Sequence, residues 1–233
     1  MTWEKEKTAV QNEKDRCFSG RFDAGLQRIS DAQFLFMQHV LSKLKPKEEG
    51  GGEAAVVFNG SPLFTGDAGG GESEVRRWIL EHDLLDAIVA LPERLFFNTG
   101  ISTYVWIFST NKSAKRKNKV MLVDARAIHT QRRKNLGEKR YDISEENIKE
   151  VCELYSKDKE SEKVKIFNTT DFAYRQITIQ RPLRLRFEIS DASIERLKNH
   201  KDFLNDLPSK KSGAKGDAEN KTWQEFRDAI YKV

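Results

Sequence analysis

Four short apolar runs in the first half of the chain have the length and composition of buried strands. Between the first two, Val75, Trp78 and Ile79 recur at helical spacing and predict a helix over residues 72–82. A strand–helix–strand order predicts parallel pairing, whereas the link between the second and third runs carries no helical stripe and predicts antiparallel pairing. The predicted strands are residues 54–58, 85–91, 103–108 and 120–123. The pattern therefore predicts half of a doubly wound α/β sheet that finishes in a hairpin-like edge.

Helix signals lie on both sides of the predicted sheet. Ser30 and Gln33 have capping-box spacing ahead of an amphipathic stripe that ends near Leu44, which predicts a helix beginning at Ser30. Residues 1–29 are mostly charged or interrupted by glycine, and we expect them to be weakly ordered. Further along, Ser144 predicts the start of another helix. The apolar stripe expected for that helix consists of Ile148, Val151, Cys152 and Tyr155.

Weaker patterns follow towards the end of the chain. Residues 177–179 and 183–189 look extended, and residues 190–200 predict a short helix. Residues 208–217 have the composition of a linker. A second capping box at residues 222–225 predicts the start of a last helix.

Composition permits some classes of function and disfavours others. The 233 residues are 38% hydrophobic, which suffices for one sizeable core with an appendage. A net charge of +5 permits a polyanionic partner without requiring one. Two distant cysteines and four histidines without ligand spacing predict neither disulfides nor a metal site. Because no apolar run approaches the roughly 18–20 residues that span a bilayer, and no signal peptide is apparent, we expect a cytoplasmic protein without a membrane partner.

Positive charge is concentrated in two stretches. Residues 111–140 hold eleven Lys and Arg residues against two acidic residues, Asp124 and Glu138. Residues 174–187 alternate arginine with apolar residues, which would place guanidinium groups on one face of an extended strand. Contacts with nucleic-acid phosphates and a simple solvated surface are both compatible with these patterns. The candidate phosphate contacts are Arg132, Arg133, Lys134, Arg175, Arg184 and Arg186.

Two connections follow predicted strands, where open α/β sheets place their ligands. Asn59 is either a site residue or a turn residue bonded to its own backbone. The glycine-rich residues 66–71 lack nucleotide-loop spacing and are either a plain connection or a mobile loop near a ligand. Phe96 and Phe97 are adjacent aromatics in a polar connection. We expect one ring to cover the edge of the core, and an exposed ring could stack on a nucleic-acid base.

Long blocks of the sequence resemble the modification subunit of type I restriction-modification systems. They are VFNGSPLFTGDAG at residues 57–69, IVALP at residues 88–92 and LFFNTGISTYVW at residues 95–106. The similarity runs from about residue 3 to residue 124 and, more loosely, over residues 175–187. It implies an α/β fold, the C-terminal half of a Rossmann-like S-adenosylmethionine-dependent methyltransferase sheet whose parallel strands end in an antiparallel edge hairpin, with a mixed or helical tail.

That family transfers a methyl group from S-adenosylmethionine to the N6 amino group of adenine in DNA. It works with a specificity subunit that reads the sequence, and the full complex adds a second modification subunit and a restriction subunit. Related enzymes hold the cofactor with a glycine-rich motif after the first strand and the target amine with an Asn-Pro-Pro-Phe/Tyr motif after the fourth, and this sequence contains neither. The resemblance therefore implies that residues 1–125 are the C-terminal half of the catalytic domain, and that the chain has no catalytic residue and is inactive alone.

The resemblance also implies roles for individual residues. An aromatic residue in related enzymes stacks on the extruded adenine, and Phe96 matches it best, with Phe97 as the alternative. Residues expected near the active site are Asn59, Gly60, Pro62, Asn98, Thr99 and Gly100. Residues 126–207 are expected to form a basic α+β extension, and residues 208–233 a linker and the start of a C-terminal helix. The alternative function is a non-catalytic module, derived from such an enzyme, that binds DNA or a partner subunit.

Overall fold

A computed structural model describes residues 2–16, 20–182, 190–200, 221, 224–226 and 228–229. The chain separates into two compact units, Met1–Ile177 and Thr178–Val233. In the first unit the strands are β1 (Glu53–Asn59), β2 (Leu85–Ala90), β3 (Thr103–Ser109), β4 (Lys119–Asp124), β5 (Thr130–Leu136), β6 (Lys139–Asp142) and β7 (Val164–Asn168). Its α-helices are α1 (Lys7–Lys14), α2 (Gln33–Leu41), α3 (Ser61–Phe64), α4 (Gly71–Glu81) and α5 (Glu145–Ser156). The predicted division into a catalytic-domain part (residues 1–125), a basic extension (residues 126–207) and a C-terminal linker with the start of a helix (residues 208–233) stays a prediction.

The predicted α/β class is confirmed by a mixed five-stranded sheet in the order β1–β3–β2–β4–β7. β2 pairs antiparallel with β3, as the missing helical stripe between them predicts, and parallel with β4. The predicted edge hairpin is wrong, however, because β3 is an internal strand that lies between β1 and β2. The short connection after β2 turns β3 back alongside it, and the other side of β3 then pairs with β1.

β1 is an edge strand, whereas its continuous apolar run predicts a buried parallel one. It pairs antiparallel with β3 over its whole length, and no other described strand bonds to its second side. Val56 and Phe58 face the core, but Ala55 is exposed and Val57 is 49% exposed. The run therefore combines one buried face with an open, apolar edge, a surface on which another strand can pair.

The two faces of the sheet bury separate apolar clusters. On one face, α2 and α4 cover Trp106, Phe108 and Val120, with Met37 and Val75 among the helix residues that pack there. On the other face, residues of α5 pack against β2 and β4. The helix stripe predicted around Val75 and Ile79 is confirmed, because both side chains are almost fully buried.

The N-terminal segment is ordered, contrary to the expectation from its charge. It contains the α1 helix, and the buried Trp3 donates from its indole Nε1 to the carbonyl oxygen of Arg28 at 2.9 Å. Trp3, Phe22 and Leu35 form a third apolar cluster. Isolated aromatic residues in a charged stretch therefore fold the segment back onto the start of α2.

Helices begin near both predicted start positions, but the residues at the helix ends differ in part from the prediction. α2 begins at Gln33 with Ala32 as its N-cap residue and no capping bond from that side chain, so the capping box predicted at Ser30 is wrong; the Gln33 amide donates to the Asp31 carboxylate at 3.0 Å instead. α5 is capped by Ser144 as predicted, and the Asn147 side chain completes the capping box. Its buried face is rotated from the predicted stripe. The residues that pack on the sheet are Val151, Leu154 and Tyr155, whereas Ile148 and Cys152 are exposed.

The second half of the chain departs most from the sequence patterns. The β5–β6 hairpin and β7, which extends the main sheet beside β4, carry no clear strand signal and were not predicted. Residues 177–179, which are expected to be extended, belong to no strand, and Ile177 and Ile179 are exposed. In the second unit, α6 (Asp191–Lys198) confirms the helix predicted over residues 190–200. Residues 183–189 lie outside the described residues, as do residues 222 and 223 of the capping box predicted at residues 222–225.

Three charged residues and one tyrosine tie the sheet to α5. Arg116 donates to Asp86 at 2.7 Å and to Asp158 at 2.9 Å, and its guanidinium lies 4.5 Å from the ring centre of Tyr155. The Tyr155 hydroxyl donates to the same Asp86 oxygen at 2.5 Å. Burial and the Asp86 carboxylate raise the pKa of Tyr155, so this hydroxyl stays neutral.

Among the described residues, no helix has the length and apolar character needed to cross a bilayer.

Candidate functional site

The carboxyl ends of β1, β2 and β4 meet at one end of the sheet. Asn59, the last residue of β1, pairs with Thr103, the first residue of β3. The amide of Leu91, just after β2, donates to the Thr103 carbonyl at 2.9 Å, and Ala125, just after β4, donates to Ala90 at 3.0 Å. Ligands of open α/β sheets bind at such strand ends, so this end is the candidate site.

Phe96 and Phe97 project from the loop that joins β2 to β3 at this end. Phe96 is 39% exposed and Phe97 is 57% exposed, so the expectation that one ring covers the core edge is wrong. Leu95 takes that place and is buried, together with Pro92. The two rings are therefore available to a ligand, since the loop is anchored by other residues.

The loop has internal restraints of its own. Phe96 and Thr99 form an antiparallel bridge, and the Thr99 hydroxyl accepts from the amide of Ile101 at 3.3 Å. The Ser102 hydroxyl donates to Glu93 at 3.0 Å. Asn98 is exposed. The predicted near-site residues Asn98, Thr99 and Gly100 thus lie on the same loop as the two aromatic rings.

The β5–β6 hairpin packs against this aromatic loop. The Glu138 amide donates to the Phe97 carbonyl at 3.2 Å, and the Arg140 amide donates to the Arg94 carbonyl at 2.9 Å. Gly137, at the hairpin turn, has φ 57, and a Cβ built there would lie 2.9 Å from the same Phe97 oxygen. The structure therefore joins the aromatic pair and the basic run, which the sequence presents as unrelated features.

The hairpin divides its positive charges into paired and unpaired groups. Asp142 accepts from Arg132 and lies 2.8 Å from the Lys139 ammonium, which neutralises much of that part of the hairpin. Arg133, Lys134 and Arg140 are exposed and have no ion-pair partner among the described residues. These three unpaired cations outnumber the exposed Glu138 carboxylate on the hairpin, and their free donors suit an anionic ligand.

Asn59, Gly60 and Pro62 shape the turn after β1. Asn59 Oδ1 accepts from the amide of Ser61 at 2.9 Å, so the reading of Asn59 as a turn residue is confirmed. Pro62 is fully buried, and a Cβ at Gly60 would touch the Phe64 and Tyr104 rings. These residues set the path of the chain beside the site.

Thr103 is a polar residue at the site that the sequence patterns did not single out. Its side chain is 7% exposed, and its hydroxyl has no hydrogen-bond partner in the structure. No sequence signal marked this hydroxyl, because the residue simply begins an apolar run. It lies where β1, β2 and β3 converge.

The glycine-rich connection before α4 serves protein packing. A Cβ at Gly71 would lie 1.8 Å from the Leu26 carbonyl oxygen, and one at Gly66 would lie 2.7 Å from the Cβ of Glu72. The Glu72 carboxylate also accepts from the Arg28 amide at 3.2 Å. Neighbouring chain therefore occupies the space beside Gly66 and Gly71, whereas Gly69 of the same loop has open space around it.

An acidic residue ends β4 at the same edge. Asp124 accepts two hydrogen bonds from Arg126, at 2.9 Å and 2.7 Å, and this pairing lowers the pKa of Asp124 to about 2. No group of three or more His, Cys, Asp or Glu side chains in the described part of the chain is arranged to hold a metal ion. The site offers aromatic faces and cations rather than a metal or a nucleophile.

The structure does not bring the other predicted phosphate contacts into this cluster within the described residues. Arg175 is exposed in a segment without regular secondary structure, and it makes no backbone contact with the hairpin in the described residues. Arg184 and Arg186 lie outside the described residues. Of the six predicted contacts, Arg132, Arg133 and Lys134 lie on the hairpin whose other residues bond to the aromatic loop.

Comparisons with known proteins agree on one family. The family model for N-6 DNA methylases matches residues 1–174, more than half of the chain. The type I restriction enzyme HindI methylase subunit of Haemophilus influenzae is 36% identical over 108 residues, which cover 46% of this chain and 23% of the relative. The MjaIX methylase subunit of Methanocaldococcus jannaschii is 28% identical over 127 residues, which cover 54% of this chain and 20% of the relative.

A solved structure gives the same fold. The type I restriction-modification methyltransferase subunit from Streptococcus thermophilus superimposes with a TM-score of 0.58 at 24% identity, covering 70% of this chain and 32% of the other. Each matched segment is a minor part of the longer protein, between 20% and 23% of the length of the two curated relatives.

Proposed function

Because this chain belongs to the N-6 DNA methylase family, we propose that it forms the target-base side of an adenine-N6 DNA methyltransferase of the type I restriction-modification class. The observation that carries the proposal is the exposed Phe96–Phe97 pair at the carboxyl end of β2, flanked by unpaired cations of the β5–β6 hairpin. Aromatic faces beside phosphate-binding groups are what an extruded nucleotide requires.

In the proposed reaction the chain receives the adenine after it leaves the DNA duplex. Extrusion costs a few kcal/mol, and stacking on one aromatic ring returns about 1–3 kcal/mol per base. Phe96 is the proposed stacking residue and Phe97 the alternative. The residues around them, Asn59, Gly60, Pro62, Asn98, Thr99 and Gly100, would hold the walls of the base pocket.

The motifs that related enzymes use to hold the methyl donor implied by the family, S-adenosylmethionine, are missing from this sequence. The glycine-rich loop is packed against Leu26 and Glu72, and the sequence has no Asn-Pro-Pro motif to hold the adenine amine. We therefore propose that the donor binds to other polypeptide. The open edge of β1, with Val57 half exposed, supports this arrangement because a strand of that polypeptide could pair there.

The proposed partners follow from the family. DNA would contact the cations nearest the aromatic loop, including Arg132, Arg133 and Lys134, with Arg175, Arg184 and Arg186 as further phosphate contacts. A specificity subunit would select the sequence, and a second modification subunit and a restriction subunit would complete the assembly. Within this scheme residues 1–125 belong to the catalytic domain and residues 126–207 to a basic extension.

A base-stacking assay tests the proposal without needing catalysis. The chain is titrated into a duplex that carries 2-aminopurine, a fluorescent adenine analogue, opposite an abasic site, where extrusion is easiest. Stacking on an aromatic ring should quench the fluorescence. Phe96→Ala should weaken binding of this duplex by roughly 5- to 150-fold, the equivalent of 1–3 kcal/mol, and abolish most of the quench.

The control is Phe64→Ala, which removes a phenylalanine at the end of α3 that is 74% exposed, compared with 39% for Phe96. If Phe64→Ala and Phe96→Ala give the same quench as the unchanged chain, Phe96 is not a stacking residue. If only Phe97→Ala loses the quench, the role passes to Phe97. In a full subunit that carries these residues, Phe96→Ala should reduce methylation at limiting DNA while cofactor affinity stays nearly unchanged. DNA binding without any methylation there would favour the non-catalytic module.

A further inference from the structure

We infer that the β5–β6 hairpin binds the DNA backbone next to the extruded base and, through its turn, fixes the position of Phe96 and Phe97. The inference deepens the proposed function and rests on it. It assigns phosphate binding to Arg133, Lys134 and Arg140, of which Arg140 has no role in the sequence-based prediction, and it assigns a positioning role to Gly137.

The first support is the direct backbone connection between the hairpin and the aromatic loop. Two hydrogen bonds join them, from Glu138 to the Phe97 carbonyl and from Arg140 to the Arg94 carbonyl. Arg94 has φ 53, a left-handed conformation that costs a non-glycine residue energy and persists where the surroundings hold it. The hairpin supplies one of those restraints, so movement of the hairpin would move the rings.

The hairpin turn leaves no room for adjustment at this contact. Gly137 has φ 57, and its added Cβ would lie 2.9 Å from the Phe97 carbonyl oxygen, closer than real Cβ atoms approach. Any side chain at this position would be strained and would push the Phe97 backbone away. Glycine therefore allows the turn to sit directly under the residue that carries the ring.

The charge distribution selects the ligand. The single Asp142 carboxylate pairs with both Arg132 and Lys139 and offsets one of their two charges, so these two cations also hold the hairpin together. Arg133, Lys134 and Arg140 remain exposed without carboxylate partners in the described part of the chain. The phosphates on either side of an extruded nucleotide must stay close to its base. A base stacked on Phe96 or Phe97 therefore brings them to these three cations.

The experiment separates charge from positioning in the same duplex assay. Arg133→Ala with Lys134→Ala should make the plot of log affinity against log salt shallower by about 1.8, because each lost phosphate contact contributes about 0.9. The maximum quench at saturation should stay unchanged. The control pair is Lys115→Ala with Lys117→Ala, two exposed lysines before β4 at the other end of the sheet, which removes equal charge and should leave the slope unchanged.

Gly137→Ala should give the opposite result, with the salt slope kept and the maximum quench lost. Gly50→Ala is its control, because Gly50 also has positive φ, at 98, yet has open space around it. Circular dichroism of each variant should match the unchanged chain. A Gly137→Ala protein that fails this check is replaced by Gly137→Asn, because asparagine tolerates positive φ better.

The inference is overturned if Arg133→Ala with Lys134→Ala shifts the salt slope no more than the lysine control, or if both Gly137 variants quench normally. If the unchanged chain itself does not quench, or Phe96→Ala and Phe97→Ala both quench normally, the proposed function fails instead.

Discussion

Replacing Arg116 by Met should lower the free energy of unfolding by about 3–5 kcal/mol, the usual cost of leaving a buried charge without its partner. The Asp86 side chain is 5% exposed and its Oδ2 accepts from Arg116 at 2.7 Å. Tyr155, whose pKa is raised by burial and by Asp86, is a neutral donor and cannot replace the lost charge. The same substitution removes the contact with Asp158 and the guanidinium above the Tyr155 ring.

Urea unfolding at pH 7, followed by circular dichroism, measures this loss. Lys117→Met is the control, since it removes an exposed cation from the same loop and should change stability by less than about 0.5 kcal/mol. Adding Asp86→Asn to Arg116→Met removes the orphaned charge and should recover part of the loss, which is the expected coupling between contacting residues. A loss below about 1 kcal/mol for Arg116→Met, or no recovery in the double variant, would refute the reasoning.

Two further predictions concern the glycine-rich connection and the end of β4. Gly71→Ala should lower the free energy of unfolding, measured with urea, by about 1–3 kcal/mol, because the added Cβ would overlap the Leu26 carbonyl. Alanine by itself favours helices over glycine by about 1 kcal/mol, so a gain in stability would contradict the packing. Ser73→Ala is the control within α4. Asp124, whose pKa is lowered to about 2 by Arg126, should stabilise the fold fully above its ordinary value near 3.8 and lose that contribution as pH falls towards 2. Because the Asp124–Arg126 pair is exposed, this contribution to the free energy of unfolding should stay below about 1 kcal/mol. In urea unfolding of Asp124→Asn, the loss of stability between about pH 4 and pH 2 that Asp124 causes should be absent.

Local sequence patterns predicted elements far better than their arrangement. The apolar runs of β2, β3 and β4 and the Val75–Ile79 stripe of α4 were confirmed because each depends on neighbouring residues alone. The position of β3 between β1 and β2 depends on a pairing across some 50 residues, which periodicity does not record. The openness of β1 was equally hidden, since an apolar run does not tell whether both sides of a strand are occupied.

The candidate site was predictable in its parts and not in its assembly. The exposed pair Phe96–Phe97 followed from two adjacent aromatics in a polar connection, but the ring expected to cover the core stayed outside because Leu95 fills that place. The β5–β6 hairpin escaped notice because its strands are polar on both faces and lack alternation. Gly137 was the available signal, as a glycine between two polar stretches is typical of a turn.

The basic run illustrates why local net charge does not locate a binding face. Five of its eleven cations are engaged by carboxylates of the fold: Lys112 by Asp83, Arg116 by Asp86 and Asp158, Arg126 by Asp124, and Arg132 and Lys139 by Asp142. The first two bind carboxylates that are far away in the sequence, so a count over residues 111–140 overstates the charge left for a ligand. What distinguishes the remaining cations is their place, because Lys115 and Lys117 precede β4 while Arg133, Lys134 and Arg140 follow it at the end that carries Phe96. Position relative to the strand ends therefore selects the surface proposed to bind DNA, whereas net charge alone would assign both ends equally.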